Sequence, residues 1–248
     1  MTLRLLSYNI KYGGTGRERE ISAVIQAAEP DVVMLQEASD PAVVEKLARD
    51  GGFPHWGSRP GGSTGFLSHV EVEHHAWHRP PAARHPFLEL ALKEHGRLFG
   101  LHLNAWFSKW SERRRHAEIR ALLEGIREHQ EGLHLIVGDF NAMAPGEVLQ
   151  VAKLPRWIQA MVWLSGRDIA RDTIQHMIDA KYSDAWRRLH PGEDGCTFPT
   201  WDPHVRLDYM FIPERFSERV LSCEVLRQIP RVKDASDHFP LLAEIKNS

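Results

Sequence analysis

Five short polar clusters stand where apolar stretches of the chain end, and strand ends are where α/β enzymes assemble their sites. They are Tyr8-Asn9, Gln36-Glu37, His102, Gly138-Asp139-Phe140-Asn141 and Ser236-Asp237-His238. Carboxylate and amide oxygens are hard ligands, which suit Mg²⁺ or Mn²⁺ and not Zn²⁺. The residue types therefore indicate a partly hydrated magnesium or manganese site.

Two pairs of polar residues in these regions are separated by a single residue. Asp139 and Asn141 form one pair, and Arg206 and Asp208 form the other. In an extended segment, side chains two residues apart point to the same face. We therefore expect each pair to share one face of its strand.

The apolar pattern predicts the elements that would position these clusters. Amphipathic spacing predicts two helices, and apolar runs bounded by Gly, Pro or charged residues predict five strands. The helices are Arg17 to Ala28 and Glu112 to His129, and the strands are Leu3 to Ile10, Asp31 to Leu35, His134 to Val137, Val205 to Ile212 and Phe239 to Ile245. Strands separated by helices indicate a layered α/β fold.

Two stretches do not fit this pattern. Gly51 to Gly65 is dense in Gly and Pro, which predicts a loop. The stretch from Ala144 to Tyr182 shows no clear assignment. Neither stretch contains one of the polar clusters.

Composition limits the class of protein. The 248 residues include 31 Lys plus Arg and 33 Asp plus Glu, a net charge of −2, which excludes an extended polycationic nucleic-acid binder. Hydrophobic residues make up 42% and charged residues 26%, as in folded domains. We expect one domain over residues 1–248, with its oligomeric state left open.

The cysteines and the apolar runs predict the compartment. Cys196 and Cys223 are too few for a disulfide scaffold, which favours a cytoplasmic location. The first residues show no secretory pattern, and no apolar run approaches the roughly 18 residues that a membrane span needs. We expect a cytoplasmic protein without a membrane span.

Six ordered motifs resemble those of the endonuclease/exonuclease/phosphatase superfamily of deoxyribonuclease I-like, metal-dependent phosphoesterases. Each motif alone is weak, but the ordered set is specific. The motifs are Ser7-Tyr8-Asn9-Ile10, Leu35-Gln36-Glu37, His102-Leu103, Gly138-Asp139-Phe140-Asn141, Arg206-Leu207-Asp208-Tyr209 and Ser236-Asp237-His238-Phe239-Pro240. The resemblance implies a four-layered α/β sandwich, with two mixed β-sheets packed face to face and helices outside.

The resemblance also implies a metal site built on Glu37. This carboxylate would be the principal ligand of Mg²⁺ or Mn²⁺, with Asn9 beside it on the metal or the phosphate. Asp237 would ligate a second metal.

The catalytic roles follow from the same resemblance. Asp139 would activate the attacking water, and Asn141 would help to orient it. His238 would hydrogen-bond the scissile phosphate, and Asp208 would orient that histidine and favour its charged form. His102 would face the leaving-group oxygen and give it a proton or a hydrogen bond.

The substrate is less constrained. The abasic-site endonuclease branch of the superfamily typically has Trp before the first Asn and Lys two residues after the metal-binding Glu. This chain has Tyr8 and Ser39 at those positions, which disfavours that branch.

Aromatic and basic residues after His102 are candidates for nucleic-acid binding. Trp106, Arg114 and Arg115 would stack bases and hold backbone phosphates, although a solvated helix face explains the same pattern. For Arg206, phosphate binding and a structural salt bridge are equally compatible with the sequence.

The leading hypothesis is therefore a magnesium- or manganese-dependent phosphodiesterase, with a nuclease that acts on DNA as its first form. A phosphomonoesterase or a lipid-headgroup phosphodiesterase of the same superfamily is the alternative, mildly favoured by the net charge of −2. A catalytically inactive binding module would lack metal or histidine positions, and none is missing. A zinc protein is disfavoured because no paired His-x-x-x-His spacing accompanies a helical carboxylate.

Overall fold

The computed structural model describes residues 2–80, 83–105, 108–154, 156, 159–160, 163 and 169–247. Its strands are β1 (Thr2–Asn9), β2 (Val32–Gln36), β3 (His55–Gly57), β4 (Thr64–Ser68), β5 (Val72–His78), β6 (Phe87–Leu92), β7 (Gly96–His102), β8 (His134–Asp139), β9 (Tyr182–Asp184), β10 (Asp208–Pro213), β11 (Val220–Val225) and β12 (Leu241–Lys246). Its α-helices are α1 (Glu18–Ala28), α2 (Pro41–Gly51), α3 (Lys109–Gly125), α4 (Asp172–Asp179), α5 (Ala185–Leu189) and α6 (Val232–Ala235).

The strands form two six-stranded mixed sheets. The first sheet has the order β11-β12-β1-β2-β4-β3, and the second has the order β5-β6-β7-β8-β10-β9. Each sheet has one parallel pair near its centre, β1 with β2 in the first and β7 with β8 in the second. The other pairings within the two sheets are antiparallel.

Three apolar layers hold the sheets and helices together. The middle layer joins the inner faces of the two sheets, with Leu5 and Met34 from the first and Leu98 and Val137 from the second. A second layer packs α1, α2 and α6 on the outer face of the first sheet, and a third packs α3 and α4 on the second. The predicted four-layered α/β sandwich is thus confirmed.

Local sequence signals set the helix ends. Asp40 accepts a hydrogen bond from the backbone N of Ala42 and Pro41 opens α2, while Gly52 ends it in the left-handed conformation. Ser108 caps α3 through the backbone N of Ser111. These caps place α2 and α3 just after strands that carry site residues.

The stretch from Gly51 to Gly65, predicted to be a loop, contains the edge strand β3 and the first two residues of β4. Its glycines serve close strand packing as well as turns. A Cβ at Gly57 would lie 2.6 Å from Phe66 Cε1, and one at Gly65 would lie 2.9 Å from the Gly57 carbonyl oxygen. The sequence pattern missed β3 because a three-residue strand is too short to show alternation.

Two strand boundaries near the C-terminus also differ from the predicted ones. β10 begins at Asp208 and not at Val205, and β12 begins at Leu241, after Pro240. Within the Ala144 to Tyr182 stretch, the described residues include α4. None of the helices in the described part of the chain has the length and hydrophobicity needed to cross a bilayer.

Candidate active site

The ends of the central strands meet at one edge of the sandwich. Asn9, the last residue of β1, stands opposite Gln36, the last residue of β2, and Glu37 follows directly. In the second sheet, His102 of β7 stands opposite Asp139 of β8. Each sheet therefore brings a pair of polar strand ends to the same edge.

A buried histidine and two aspartates form the centre of the site. Asp208, the first residue of β10, stands opposite Asp139 across the antiparallel ladder. His238 Nδ1 lies 2.8 Å from Asp208 Oδ2, and His238 Nε2 lies 3.8 Å from Asp139 Oδ2. All three side chains are buried. Asp208 thus contacts the ring nitrogen through which it would orient the imidazole, and this role stays a prediction.

The pKa values at this centre depend on burial and on the charges of the neighbouring groups. Burial alone would lower the pKa of His238, but the carboxylates of Asp208 and Asp139 outweigh it and raise that pKa to about 10. Burial and the nearby Asp208 carboxylate raise the pKa of Asp139. The imidazolium is therefore a stable positive charge at neutral pH, placed where it can contact an anion.

A second group of polar side chains adjoins Asp139. Asn9 Nδ2 donates hydrogen bonds to Glu37 Oε1 at 3.2 Å and to Asp139 Oδ2 at 3.0 Å. Glu37 adopts a positive φ of 57° just after β2, and its Oε2 accepts a hydrogen bond from the backbone N of Tyr12. The amide of Asn9 thus brings two carboxylates from different sheets together.

These donors fit a divalent cation. Asp139, Asp208 and His238 place possible ligand atoms within 4.8 Å of one another. However, Nδ1 of His238 is already hydrogen-bonded to Asp208, and a protonated imidazole does not ligate a metal. Glu37 and Asp139 share one amide donor and offer the hard oxygens that Mg²⁺ or Mn²⁺ prefers. The residues that would hold the ion are therefore Glu37 and Asp139, with Asn9 between them.

His102 lies on the other side of Asp139. Its Nε2 is 3.8 Å from Asp139 Oδ2, and its Nδ1 shares a hydrogen bond with the Ser63 hydroxyl. The ring of His85 stacks on it with centroids 5.5 Å apart. Burial, with the positive charges of neighbouring groups, lowers the pKa of His102 to about 3. This neutral imidazole fits the predicted hydrogen bond to a leaving group better than proton donation by an imidazolium.

Asn141 belongs to the site for a different reason from the one that the sequence suggested. β8 ends at Asp139, and Asn141 has a φ of 48°, so the same-face argument for an extended segment does not apply. Instead, Asp139 Oδ1 accepts from the Asn141 backbone N at 2.8 Å, and Asn141 Nδ2 donates to the Leu103 carbonyl oxygen at 3.0 Å. The turn itself positions Asn141 beside Asp139.

Asp237 lies at the rim of the site. Its Oδ2 is 3.1 Å from Lys11 Nζ. A second metal ion at Asp237 would compete with this ammonium group for the same carboxylate. The role of Asp237 as a metal ligand stays a prediction.

Arg206 is not a substrate-binding residue in this structure. Its side chain is 1% exposed and pairs with Asp184 at 2.6 Å and with Glu147 at 2.7 Å. Arg206 and Asp208 therefore contact different partners, although they are two residues apart. Of the two roles that the sequence left open, the structure supports the salt bridge.

The prediction that the basic stretch after His102 binds nucleic acid is corrected in part. Arg115 is fully buried, and its guanidinium contacts Glu112 Oε2 and the Asn104 carbonyl oxygen, so it cannot reach a substrate phosphate. Arg114 keeps a side chain that is 49% exposed and pairs with Glu118. Trp106 lies outside the described residues.

Ser63 and His85 contact the site but no sequence pattern pointed to them. Ser63 lies in the stretch predicted to be a loop. The chain has fifteen histidines, and no neighbouring residue distinguishes His85 from the others. Both reach His102 because β4 and β6 bring their preceding residues to the site edge. Only the tertiary fold reveals them.

Several known proteins are similar to this chain in sequence or in fold. Exodeoxyribonuclease III from Haemophilus influenzae is 23% identical to the chain over 273 residues, covering 98% of this chain and all of that protein. An AP endonuclease from Archaeoglobus fulgidus shares the fold with a TM-score of 0.74 at 15% identity, covering 97% of this chain and 98% of that one. The 3'-5' exonuclease NExo from Neisseria meningitidis aligns with a TM-score of 0.72 at 15% identity, covering 98% of this chain and 100% of that one.

A family model extends over nearly the whole chain. The model described as "Endonuclease/Exonuclease/phosphatase family" matches residues 6–238. This range includes the six motifs that carry the resemblance, except for the last two residues of the sixth. The chain belongs to the endonuclease/exonuclease/phosphatase family.

Proposed function

We propose that the protein is a divalent-metal-dependent phosphodiesterase that cleaves nucleic acid, with DNA as the first candidate. The observation that carries the proposal is the meeting of Glu37, Asp139 and Asn9 beside a charged His238. Phosphodiesters are anionic and repel nucleophiles, so their hydrolysis needs positive charge and a positioned water. In this proposal His238 supplies positive charge, and Asp139 and Asn141 position the water.

Each side chain has a place in an in-line attack. Asp139 accepts the proton of the attacking water, and Asn141 orients that water. His238 donates from Nε2 to a phosphoryl oxygen, while Asp208 holds its Nδ1. His102 donates a hydrogen bond from Nε2 to the leaving oxygen, which takes its proton from solvent, while the Ser63 hydroxyl holds this histidine at Nδ1. A bound divalent cation supplies further positive charge at the phosphate.

The relatives support DNA as the substrate. One is named exodeoxyribonuclease III, and a 3' phosphatase NExo from Neisseria was solved with a product DNA hairpin. The name "3' phosphatase" also supports the alternative, a phosphomonoesterase. Both reactions use the same attack on phosphorus and differ in whether the phosphorus carries one ester bond or two.

Glu37→Gln keeps the shape of the side chain and removes its charge. We expect the affinity for Mn²⁺ or Mg²⁺ to fall by about 100-fold or more, because a carboxylate ligand contributes far more to a cation than an amide. Titration calorimetry measures this affinity. Hydrolysis should fall with it on whichever member of a panel is the substrate: plasmid DNA, single-stranded DNA, RNA, abasic duplex, inositol phosphates and sphingomyelin.

Glu45→Gln is the matched control, because it makes the same change at an exposed position of α2. It should leave metal affinity and hydrolysis unchanged. Unchanged metal affinity in Glu37→Gln would contradict the assignment of the ligand. Hydrolysis of only the lipid or inositol members of the panel would move the proposal to the alternative.

His238 and Asp208 should behave as one unit. His238→Ala should lower kcat by about 10² to 10⁴, and adding Asp208→Ala should lower it little further, because the aspartate acts through the histidine. A double-mutant cycle on kcat measures the coupling. Asp179→Ala, at an exposed position of α4, should instead add nothing in either background, and additive losses for the first pair would reject the shared role.

A further inference from the structure

Two aromatic side chains at the rim of the site are largely exposed. Tyr12 is 80% exposed and Trp201 is 67% exposed, whereas Tyr8 and Tyr209 are fully buried. Both exposed rings lie near the same ammonium group, with Lys11 Nζ 5.7 Å from the Tyr12 centroid and 5.9 Å from the Trp201 centroid. We call Lys11, Tyr12 and Trp201 the aromatic rim.

The first half of the aromatic rim is tied to the proposed metal site. The backbone N of Tyr12 donates to Glu37 Oε2 at 2.6 Å, and Lys11 N donates to Asn9 Oδ1 at 3.0 Å. Lys11 and Tyr12 both have positive φ, at 53° and 48°. Such backbone is costly for non-glycine residues and is concentrated at functional sites. The turn holds the Tyr12 backbone against Glu37 and leaves the ring exposed.

The second half is tied to the segment that carries His238. Thr200 N donates to the Asp237 carbonyl oxygen at 2.9 Å, and Thr200 Oγ1 donates to the Ser236 carbonyl oxygen at 2.9 Å. Trp201 follows directly, and its ring packs edge-on against Phe198. Phe198 in turn contacts the His238 ring. Trp201 is therefore held at a fixed place relative to the phosphate-binding histidine.

A cavity of about 270 Å³ lies between the two halves, lined by residues of both and by Asp237. Lys11, Arg17 and Lys233 give it three basic groups against the two carboxylates of Asp234 and Asp237. Flat aromatic walls with a cation between them suit a flat, polarisable ring attached to an anionic backbone. A nucleobase has this chemistry.

From this arrangement we propose that the aromatic rim stacks an unpaired nucleobase next to the scissile phosphate, so that the substrate is a single-stranded or unpaired end of nucleic acid. In a duplex the base faces are already stacked, and exposing one costs energy. The rim therefore favours unpaired ends over blunt duplex. This inference rests on the proposed function and specifies its substrate class.

The test measures binding in the Asp139→Asn background, which slows cleavage. The probes are a single-stranded oligonucleotide and a blunt hairpin of the same sequence, each with 2-aminopurine at its 3' end. Trp201→Ala and Tyr12→Ala should each raise the Kd for the single strand about tenfold, since stacking on an aromatic side chain contributes strongly per base. Both variants should also abolish the quenching of 2-aminopurine, with less than a twofold change in Kd for the hairpin.

Two further variants make the result specific. Trp201→Phe keeps a ring and should restore most of the affinity and quenching. Trp56→Ala removes another exposed tryptophan, which lies on β3 opposite Leu67 of β4, away from the site. This variant should change neither the affinity nor the quenching.

The outcomes separate the two proposals. Unchanged single-strand affinity in Trp201→Ala and Tyr12→Ala, with DNA still bound and cleaved, overturns the aromatic rim alone. Equal losses for the single strand and the hairpin do the same, because they show general backbone contacts. Absence of DNA binding in the Asp139→Asn protein, together with turnover of a small phosphate ester by the unmodified protein, overturns the DNA part of the proposed function itself.

Discussion

Asp139→Asn should lower kcat for phosphodiester hydrolysis by about 10³, the range expected when a general base is lost. Asparagine fills the same volume and keeps one of the two acceptor oxygens, but it cannot accept a proton from water and ligates a cation more weakly than a carboxylate does. The fold should not lose stability. Burial and the Asp208 charge raise the pKa of Asp139, which means that its ionised form is destabilised in the folded state. Asparagine carries no charge and removes this cost in folding free energy.

Steady-state kinetics and urea unfolding on the same preparations test both parts. Asp179→Asn, at the exposed end of α4, controls for the loss of one aspartate charge and should match the unmodified protein. A kcat within tenfold of the original would show that another group activates the water. A large loss of stability would show that the kinetic effect reports folding.

Arg115→Ala should lower the free energy of unfolding by about 3–5 kcal/mol, the usual cost of leaving one partner of a buried ion pair alone. Arg115 holds Glu112 through two nitrogens, and Glu112 Oε1 accepts from the Thr173 backbone N at 2.8 Å. The pair thus joins α3 to the start of α4, and Arg115 Nη1 joins α3 to the segment after β7.

Arg114→Ala is the matched control, one residue away on the same helix. Its side chain is half exposed, and its partner Glu118 also accepts a hydrogen bond from the backbone N of Arg84. The same truncation should therefore cost only about 1 kcal/mol. Urea unfolding at neutral pH compares the two variants. Equal and small effects would mean that Arg115 is accessible, and would return it to the candidates for phosphate binding.

Local patterns were sufficient for the elements that carry Asn9 and Glu37. β1, β2 and α1 combine apolar runs, helical spacing and clear stop signals at Gly13 and Pro30, and these signals depend only on neighbouring residues. The antiparallel strands β5 and β6 have no such signal. β5 is mostly exposed and rich in histidine, and β6 carries the buried Glu89 within an apolar run.

Side-chain partners that the sequence does not identify account for the errors at the site. Arg115 and Arg206 resemble phosphate-binding residues until their ion pairs are known. Arg115 pairs with Glu112 within α3, whereas Glu147 is 59 residues away from Arg206 in the chain. The role of Asn141 depends on a left-handed turn that an alternating pattern does not describe. The ordered motifs predicted which residues meet, whereas the fold determines how they contact one another.

The site takes Asn9 and Glu37 from one sheet and His102, Asp139 and Asp208 from the other. The thickness of the apolar layer between the sheets therefore sets the distance between the two halves of the catalytic apparatus. Part of that layer is very tight, since a Cβ on Gly100 of β7 would lie 2.5 Å from Met34 Cε of β2. We therefore expect substitutions in this layer to lower turnover as well as stability, even at positions that touch no substrate.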